Sequence, residues 1–422
     1  MSGEITELRT PAGIPVIVGR NTDSGSAGYM VAVRTGSRDE DPKVGGISHL
    51  LEHVVFRATK GYSSYQMAKD MEGAGGELNA FTGREATAFY GITIKETADV
   101  AREMVAEIVA KPLIEKDDVE LEKKIVLQEL SMIENEPESY IHDLFANNLW
   151  RGHPLSQDEG GSPDIVSRLD HRDLRSYYEE GYGVPNLSVF AVGNVDPEET
   201  VSWAAESFDG MAAAQRKRTP PPTPTAKYFF KKNRSEHCNV AMGFPAYAPG
   251  HPLRTASALL AGVLGSWTSS RLFQEVREKR ALVYSVHTML DQSSDAGALC
   301  TFLSSTDGNT VESIETSVKT FSAFKREGLE KGELERTKRL IKGALVRAAE
   351  STERGMYMLA RDHMLDGRPK TLAERLEAID AVTEEQVMKV AGELMRADRL
   401  NITALGKGNR GIRTFDLSGL DL

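Results

Sequence analysis

Cysteine is scarce in this sequence, whose 422 residues include only Cys238 and Cys300. Two isolated cysteines exclude a disulfide framework and a CxxC metal ribbon, and they favour a reducing compartment. No stretch approaches the roughly 18 consecutive apolar residues of a membrane-spanning helix. The N-terminus also lacks the basic region and apolar run of a secretory signal. We therefore expect a cytoplasmic protein with no membrane partner.

An excess of basic residues is lacking as well, since 62 acidic residues outnumber 51 lysines and arginines and give a net charge of −11. An acidic protein repels phosphate backbones and anionic headgroups, so nucleic acid and anionic membranes are not expected partners. Basic peptides are compatible with this charge. The 40% of apolar and 27% of charged residues are typical of folded globular proteins.

The chain is too long for one hydrophobic core, and its proline-rich segment RKRTPPPTPTAK, at residues 216–227, falls near the midpoint. Prolines at this density are incompatible with a helix or a central strand and favour stiff, extended chain. We predict an N-terminal zinc-binding domain at residues 1–210, a linker at 211–227 and a C-terminal domain at 228–422.

The two halves share a pattern, because LIEKDDVELEKKIVLQEL (113–130) and GLEKGELERTKRLIKGAL (328–345) open helices alike. Strand patterns at residues 13–18, 28–37 and 86–94 precede helical patterns without strict alternation. The helical patterns lie at residues 46–58, 64–73, 96–110, 117–133 and 163–180. This arrangement predicts an α+β fold of two homologous two-layer α/β sandwich domains, each a mostly antiparallel sheet packed with helices.

The segment GGISHLLEHVVF, at residues 45–56, carries candidate metal ligands. On a helix His49 and His53 lie on one face, and two neutral imidazoles with one further protein ligand and an open position suit zinc. Glu52 lies on the same broad face, where it can take a proton as zinc lowers the pKa of water toward about 7. Such a pentapeptide also recurs by chance, so an ordinary amphipathic helix is about equally compatible with it.

A third ligand is expected on another rigid element of the fold. The helix predicted at residues 117–133 offers Glu122 and Glu129, which are two turns apart and therefore lie on one stripe. Both carboxylates would also suit the solvated face of a helix. Their spacing alone does not decide between the two interpretations.

HLLEH followed by Glu129 in KKIVLQEL resembles the M16 metallopeptidases, the pitrilysin, insulinase and mitochondrial processing peptidase family. GAGGELNAFTGREATAFY (73–90) and SSRLFQEVREKRALVYSV (269–286) are similar to two further motifs of that family. They occur in the family's order, so the resemblance covers nearly the whole chain. It implies a fold of the metallohydrolase type shared by LuxS and mitochondrial processing peptidase.

The resemblance also implies roles for residues of the first half. His49, His53 and Glu129 correspond to the ligands of one Zn²⁺ per chain, and Glu52 corresponds to the general base. Glu122 matches the family's acid behind the metal ligands. Aligning the LEK-containing helices places Ala344 opposite Glu129, and ALLAG (258–262) falls opposite HLLEH, so no metal is expected in the second half.

Further residues are implicated in binding substrate. Arg277 and Tyr284 correspond to C-domain residues that reach the substrate, although Arg277 in its REKR run also suits a solvated helix face. Asn79, Ala80 and Thr82 fall on a strand at whose edge family members bind an extended peptide. Asn79 is equally compatible with a turn after the preceding glycines.

We predict from these motifs a zinc-dependent endopeptidase that hydrolyses unfolded peptides between its domains, with zinc-bound water as the nucleophile. The alternative is a non-catalytic or partner-dependent structural or processing subunit of an M16-type complex, although such subunits commonly degrade the motif. A zinc hydrolase or lyase for small molecules, like the HxxEH enzyme LuxS, is less compatible because LuxS is far shorter and uses a cysteine ligand. Two-unit chains of this family suggest a homodimer, or a heterodimer with a related M16 subunit.

Overall fold

The computed structural model describes residues 4–215, 217–420 and 422, so Arg216, the first residue of RKRTPPPTPTAK, lies outside the described residues. Residue contacts divide the chain into two units. Unit 1 comprises Met1–Ser131, Gln157–Thr219 and Leu345–Leu372, and unit 2 comprises Met132–Ser156, Pro220–Ala344 and Ala373–Leu422. Each unit therefore includes a segment from the other half of the sequence. The predicted domains, at 1–210 and 228–422, are continuous ranges and do not include this exchange.

The sheet of unit 1 has the strand order β1-β2-β6-β3-β5-β4. Strands β2 and β6 run parallel, whereas the other neighbours are antiparallel. Its strands are β1 (Glu4–Arg9), β2 (Pro15–Arg20), β3 (Ser26–Val33), β4 (Glu77–Thr82), β5 (Thr87–Ile94) and β6 (Leu187–Gly193). The predicted strands at 13–18, 28–37 and 86–94 are confirmed as β2, β3 and β5, with ends that differ by a few residues.

The sheet of unit 2 has the strand order β7-β11-β8-β10-β9, in which only the β7–β11 pair is parallel. Its strands are β7 (Lys227–Lys232), β8 (His237–Ala246), β9 (Val283–Ser293), β10 (Ala296–Thr306) and β11 (Asn401–Gly406). Two mostly antiparallel sheets, each packed with helices, confirm the predicted α+β class.

The helices complete both units. They are α1 (Ile47–Val55), α2 (Ser64–Gly73), α3 (Ala98–Ala110), α4 (Lys116–Glu134), α5 (Pro137–Leu149), α6 (Pro163–Val166), α7 (His171–Gly181), α8 (Pro197–Phe208), α9 (Arg254–Gly265), α10 (Thr310–Glu327), α11 (Glu333–Ala349), α12 (Thr352–Asp366), α13 (Leu372–Asp380), α14 (Glu384–Leu394) and α15 (Arg410–Arg413). The helix predicted at 163–180 is divided into α6 and α7. The division arises because the Asp170 carboxylate accepts hydrogen bonds from the backbone N–H groups of Arg172 and Asp173 and so caps a new helix.

Helices α5 and α12 belong to the exchanged segments, and each packs on the sheet of its own unit. In unit 1, alternate strand residues face opposite sides of the sheet. Val31 and Phe89 belong to the core beneath α1 and α3, whereas Met30 and Tyr90 pack against Met356 of α12 on the other side. In unit 2, α5 packs on β8 and β11. Each of these helices thus buries its apolar side against a sheet formed largely by the other half of the sequence.

The two cysteines lie in the interior of unit 2, and neither forms a disulfide bond. Burial raises the pKa of the Cys238 thiol to about 11, so this thiol is protonated and unreactive at neutral pH. Within the described ranges, no helix has the length and apolar composition needed to cross a membrane.

Candidate metal centre

A left-handed glycine and a buried carboxylate define the N-terminus of helix α1. Gly46 has φ of 91°, in the left-handed region that glycine tolerates, and a Cβ there would lie 2.5 Å from the carbonyl oxygen of Gly160. The buried Glu40 carboxylate accepts hydrogen bonds from the backbone N–H groups of Gly46 (2.7 Å) and Ser48 (2.8 Å). These bonds satisfy N–H groups that the helix itself leaves unpaired.

The apolar side of α1 then sets the direction of its polar side. Leu50, Leu51 and Val54 are fully buried in the core of unit 1. His49 and His53 are four residues apart and are only partly buried on the opposite face, where α4 approaches them. Hydrophobic burial therefore fixes which way the two imidazoles point.

His49, His53 and Glu129 come together, as the resemblance to the family implies. Nε2 of His49 lies 3.3 Å from Nε2 of His53, and Oε2 of Glu129 lies 3.8 Å and 3.5 Å from these nitrogens. Ligand atoms placed tetrahedrally at about 2.0–2.1 Å from zinc are about 3.3–3.4 Å apart, so the three atoms fit one such ion. Among the described residues, no other group of histidine, cysteine or acidic side chains offers such a cluster.

The protonation of His49 suits metal binding. Burial, together with the neighbouring His53, lowers the pKa of His49 to about 4, whereas Glu129 opposes this shift. The imidazole is therefore neutral at physiological pH, which is the form that binds a metal. Two imidazole nitrogens and a carboxylate oxygen make a donor set typical of zinc sites with an open coordination position.

His53 is oriented by a buried acid on α4. Its Nδ1 lies 3.1 Å from Oε2 of Glu122, whose side chain is 7% exposed. A proton on Nδ1 shared with this carboxylate leaves the Nε2 lone pair directed at the metal position. Behind Glu122, the Arg57 guanidinium lies 3.6 Å from Oε1 of Glu122 and 3.6 Å from Oδ1 of Asp118. Sequence reasoning identified Glu122 but missed Arg57, whose long side chain gives no periodic signal.

His49 is held by packing on its other side. Its Nδ1 is buried without a hydrogen-bond partner. A Cβ at Gly160 would lie at van der Waals distance from this nitrogen, 3.7 Å, and 2.7 Å from Cδ2 of Leu130, so the chain packs against the imidazole and a side chain at position 160 would displace Leu130. The DEGGS segment that contains Gly160 was not singled out from the sequence.

Glu52 lies beside the ligand cluster, but its hydrogen-bond partner is a residue of strand β4. The hydroxyl of Thr82, the last residue of β4, donates a hydrogen bond to Oε2 of Glu52. Burial raises the pKa of Glu52, whereas the Thr82 bond and the neighbouring His53 lower it. A carboxylate with a raised pKa is a stronger proton acceptor than an ordinary one.

The predicted substrate strand exists and has a free edge within its sheet. Asn79, Ala80 and Thr82 all lie on β4, the edge strand, which among the described strands pairs only with β5. The side-chain oxygen of Asn79 accepts a hydrogen bond from the backbone N–H of Ala80. Asn79 therefore belongs to a strand rather than to a turn, and its role toward substrate stays a prediction.

Arg277 and Tyr284 lie in unit 2. The Arg277 guanidinium stands over the Phe273 ring, 4.7 Å from its centroid, in a π-helical segment at Phe273–Glu278. Tyr284, at the start of β9, is 73% exposed. Both side chains are therefore accessible in their own unit, and their roles toward substrate stay predictions. Ala344 lies on α11 and ALLAG lies on α9, and no metal cluster occurs in the described part of unit 2.

Comparisons with known proteins agree with this organisation. Residues 16–160 match the family model described as Insulinase (Peptidase family M16), and residues 168–341 match Peptidase M16 inactive domain. An uncharacterized zinc protease of Mycobacterium leprae is 30% identical over 93% of this chain and 90% of its own length. Another, of Bacillus subtilis, is 30% identical over 92% of this chain and 94% of its own.

Two solved structures share the fold. A peptidase M16 inactive domain from Pseudomonas fluorescens superposes with a TM-score of 0.89 at 18% identity, covering 96% of this chain and 98% of that one. A protease from Helicobacter pylori gives a TM-score of 0.86 at 20% identity, covering 96% and 99%.

Proposed function

Because this chain belongs to peptidase family M16, we propose that it is a zinc-dependent endopeptidase that hydrolyses unfolded peptides. The cluster of His49, His53 and Glu129, with the Glu52 carboxylate beside it, is the observation that carries the proposal. A non-catalytic subunit would have no need to keep three convergent ligands and a separate, partly buried base. The zinc protease names of the relatives support the choice of metal.

Three side chains would hold the metal in the proposed mechanism. His49 and His53 would hold the zinc through their Nε2 atoms and Glu129 through a carboxylate oxygen. Zinc bound there supplies a Lewis acid that polarises the scissile carbonyl and lowers the pKa of water. Glu122 keeps the His53 imidazole in the required tautomer.

Glu52 moves the proton. Its raised pKa makes it a better acceptor for the proton of the attacking water, and the Thr82 hydroxyl fixes one carboxylate oxygen. The same carboxyl group then gives the proton to the leaving amine nitrogen. General acid–base catalysis of this kind contributes about 10²–10⁴-fold to the rate.

An extended substrate would pair with the free edge of β4. Main-chain hydrogen bonds to a sheet edge recognise extended backbone with little regard for side chains, which suits unfolded peptides as substrates. We keep Arg277 and Tyr284 as the proposed donors to the oxyanion. A homodimer, or a heterodimer with a related subunit, is also retained as a proposal.

The test is cleavage of a quenched fluorescent peptide by the purified protein, with products identified by mass spectrometry. We expect internal cleavage, loss of activity with a chelator, and recovery when about one equivalent of zinc per chain is restored. Cleavage that survives complete removal of the metal would refute a zinc mechanism. A zinc-loaded protein without activity on any peptide of a diverse pool would favour the non-catalytic subunit.

A further inference from the structure

A buried ionic network holds the start of the segment predicted as the linker. Nε and NH2 of Arg218 donate to the two carboxylate oxygens of Asp39, at 2.9 Å and 2.6 Å. NH2 also donates to the backbone oxygen of Glu85 (2.5 Å), and NH1 lies 3.4 Å from the Glu85 carboxylate. The side chains of Arg218 and Asp39 are only 5% and 3% exposed. Charges this deeply buried are retained only when they are paired, so this end of the segment is fastened rather than free.

A second arginine, Arg38, also holds the start of the linker. NH1 of Arg38 lies 2.6 Å from the Glu85 carboxylate, and its NH2 donates to the backbone oxygen of Thr219 at 2.6 Å. The Arg38 side chain is 1% exposed. One network within unit 1 therefore joins the start of the linker to the segment 36–40 and to the turn between β4 and β5.

The segment 36–40 and the β4–β5 turn also meet through their backbones. A Cβ at Gly36 would lie 2.2 Å from the carbonyl oxygen of Gly83, so no side chain fits between them. The N–H of Arg38 donates to the carbonyl oxygen of Arg84 at 2.8 Å, which ties the two segments together. Arg218 then bonds to both, because Asp39 belongs to one segment and Glu85 to the other.

Each of these two segments leads directly to the candidate site. Glu40 follows Asp39, and its carboxylate accepts the first N–H groups of α1. Gly83 follows Thr82, whose hydroxyl holds Glu52. A displacement of the Arg218 guanidinium would therefore reach the proposed base by two routes, through the start of its helix and through its hydrogen-bond partner.

We propose that Arg218 is a positioning residue for the catalytic base, and that it makes the placement of Glu52 depend on the segment that joins the two halves of the chain. This inference rests on the proposed peptidase function. Arginine suits this position because Nε and NH2 of its planar fork match the two carboxylate oxygens of Asp39, a bidentate geometry that the single ammonium nitrogen of lysine does not offer.

The experiment compares Arg218→Ala and Arg218→Lys with wild type and with Arg102→Ala, well below the melting temperature of each protein. Arg102 is a suitable control because it stands over the Tyr29 ring and pairs with Glu199 within the same unit, on helices without site residues. We expect kcat per folded, zinc-loaded molecule to fall about 10- to 100-fold in Arg218→Ala, as for a base displaced by about 1 Å. Free guanidinium should restore part of it, Arg218→Lys should restore little, and zinc affinity should stay within about threefold of wild type.

Hydrogen exchange provides a readout without activity, measured on the zinc-free proteins. We expect faster exchange than in wild type at the amides of Gly46, Ser48 and Arg38 in Arg218→Ala. In Arg102→Ala the exchange rates of these amides should equal those of wild type. Unaltered exchange at these amides, or kcat at the wild-type level, would overturn the positioning role. If wild type itself cleaves no peptide, the proposed function fails, while the exchange data still decide whether Arg218 holds the start of α1.

Discussion

The hydroxyl of Thr82 donates a hydrogen bond to the carboxylate of Glu52, joining the end of an edge strand to the metal-binding helix across 30 residues of sequence. The same strand is the proposed docking edge for an extended substrate. The proposed base and the substrate edge are therefore held at a fixed distance from each other by one side chain. Thr82 thus has a role that its assignment as a substrate contact alone would not explain.

Replacing Thr82 with valine keeps the branched shape and removes the hydroxyl. We expect kcat to fall about 10-fold, a part of the 10²–10⁴-fold that general base catalysis contributes, while zinc content stays unchanged. Thr82→Ser keeps the donor and should remain near wild type, as measured by peptide cleavage. Equal loss in both variants would show that the methyl group, and not the hydrogen bond, matters.

Glu122 and Arg57 should control zinc affinity rather than the proton transfer. Glu122→Gln weakens the acceptor for His53 Nδ1–H, so we expect zinc affinity to fall about 10- to 100-fold in chelator competition. Arg57→Ala should produce a smaller decrease in the same direction, since it acts through Glu122. The control is Glu120→Gln, an exposed acid on α4 paired with Lys123. An unchanged affinity in Glu122→Gln would exclude the supporting role.

Glu40 should give the stability of the protein a specific pH dependence. Burial raises the pKa of Glu40 from 4.5 to about 7. Between these values the folded protein holds a proton that the unfolded chain releases, so the contribution of Glu40 to the free energy of unfolding decreases as pH rises. Glu40→Gln lacks this proton equilibrium.

We therefore expect the difference in free energy of unfolding, wild type minus Glu40→Gln, to be largest near pH 5 and to shrink toward pH 8. Urea denaturation of the zinc-free proteins at several pH values measures it without interference from the metal. A difference that grows as pH rises would mean that the N–H groups of Gly46 and Ser48 outweigh burial and that the carboxylate is stabilised in its charged form.

Arg277 tests whether unit 2 takes part in catalysis. If its guanidinium contacts the oxyanion, Arg277→Ala should lower kcat about 10²- to 10³-fold, as the loss of one oxyanion donor does, with zinc retained. Zinc content and peptide cleavage measured on the same sample decide this. Full activity would return Arg277 to the interpretation as a solvated helix residue, and loss of metal would show that it supports the zinc site instead.

The pairing of the two histidines and the sheets could be predicted because they depend on local patterns. His49 and His53 share a face of any helix that contains them, whereas Glu129 was implied by the resemblance to family M16 and not by its spacing. The second half has Ala344 and ALLAG where the first has Glu129 and HLLEH, and the expected lack of a metal there stays a prediction.

The contacts that hold the site in place could not be predicted in the same way. The bond between Arg218 and Asp39 joins residues 179 positions apart, and nothing in RKRTPPPTPTAK distinguishes a fastened arginine from a solvated one. The packing of α5 and α12 illustrates the same limit, because an amphipathic pattern shows that a helix buries one face but not which sheet receives it. Glu40 was missed because its acceptor role depends on where the chain enters α1.

The central claim is that Glu129 binds zinc whereas Glu52 acts as the base without binding it. Zinc content and peptide cleavage, measured side by side in Glu52→Gln and Glu129→Gln, test this claim most directly. Glu52 is bonded to Thr82 and lies outside the ligand cluster, so Glu52→Gln should bind about one zinc per chain and lose at least about 100-fold in kcat. Glu129→Gln should lose both zinc affinity and activity. Wild-type cleavage by zinc-loaded Glu52→Gln would contradict the account, because the base would then be some other group.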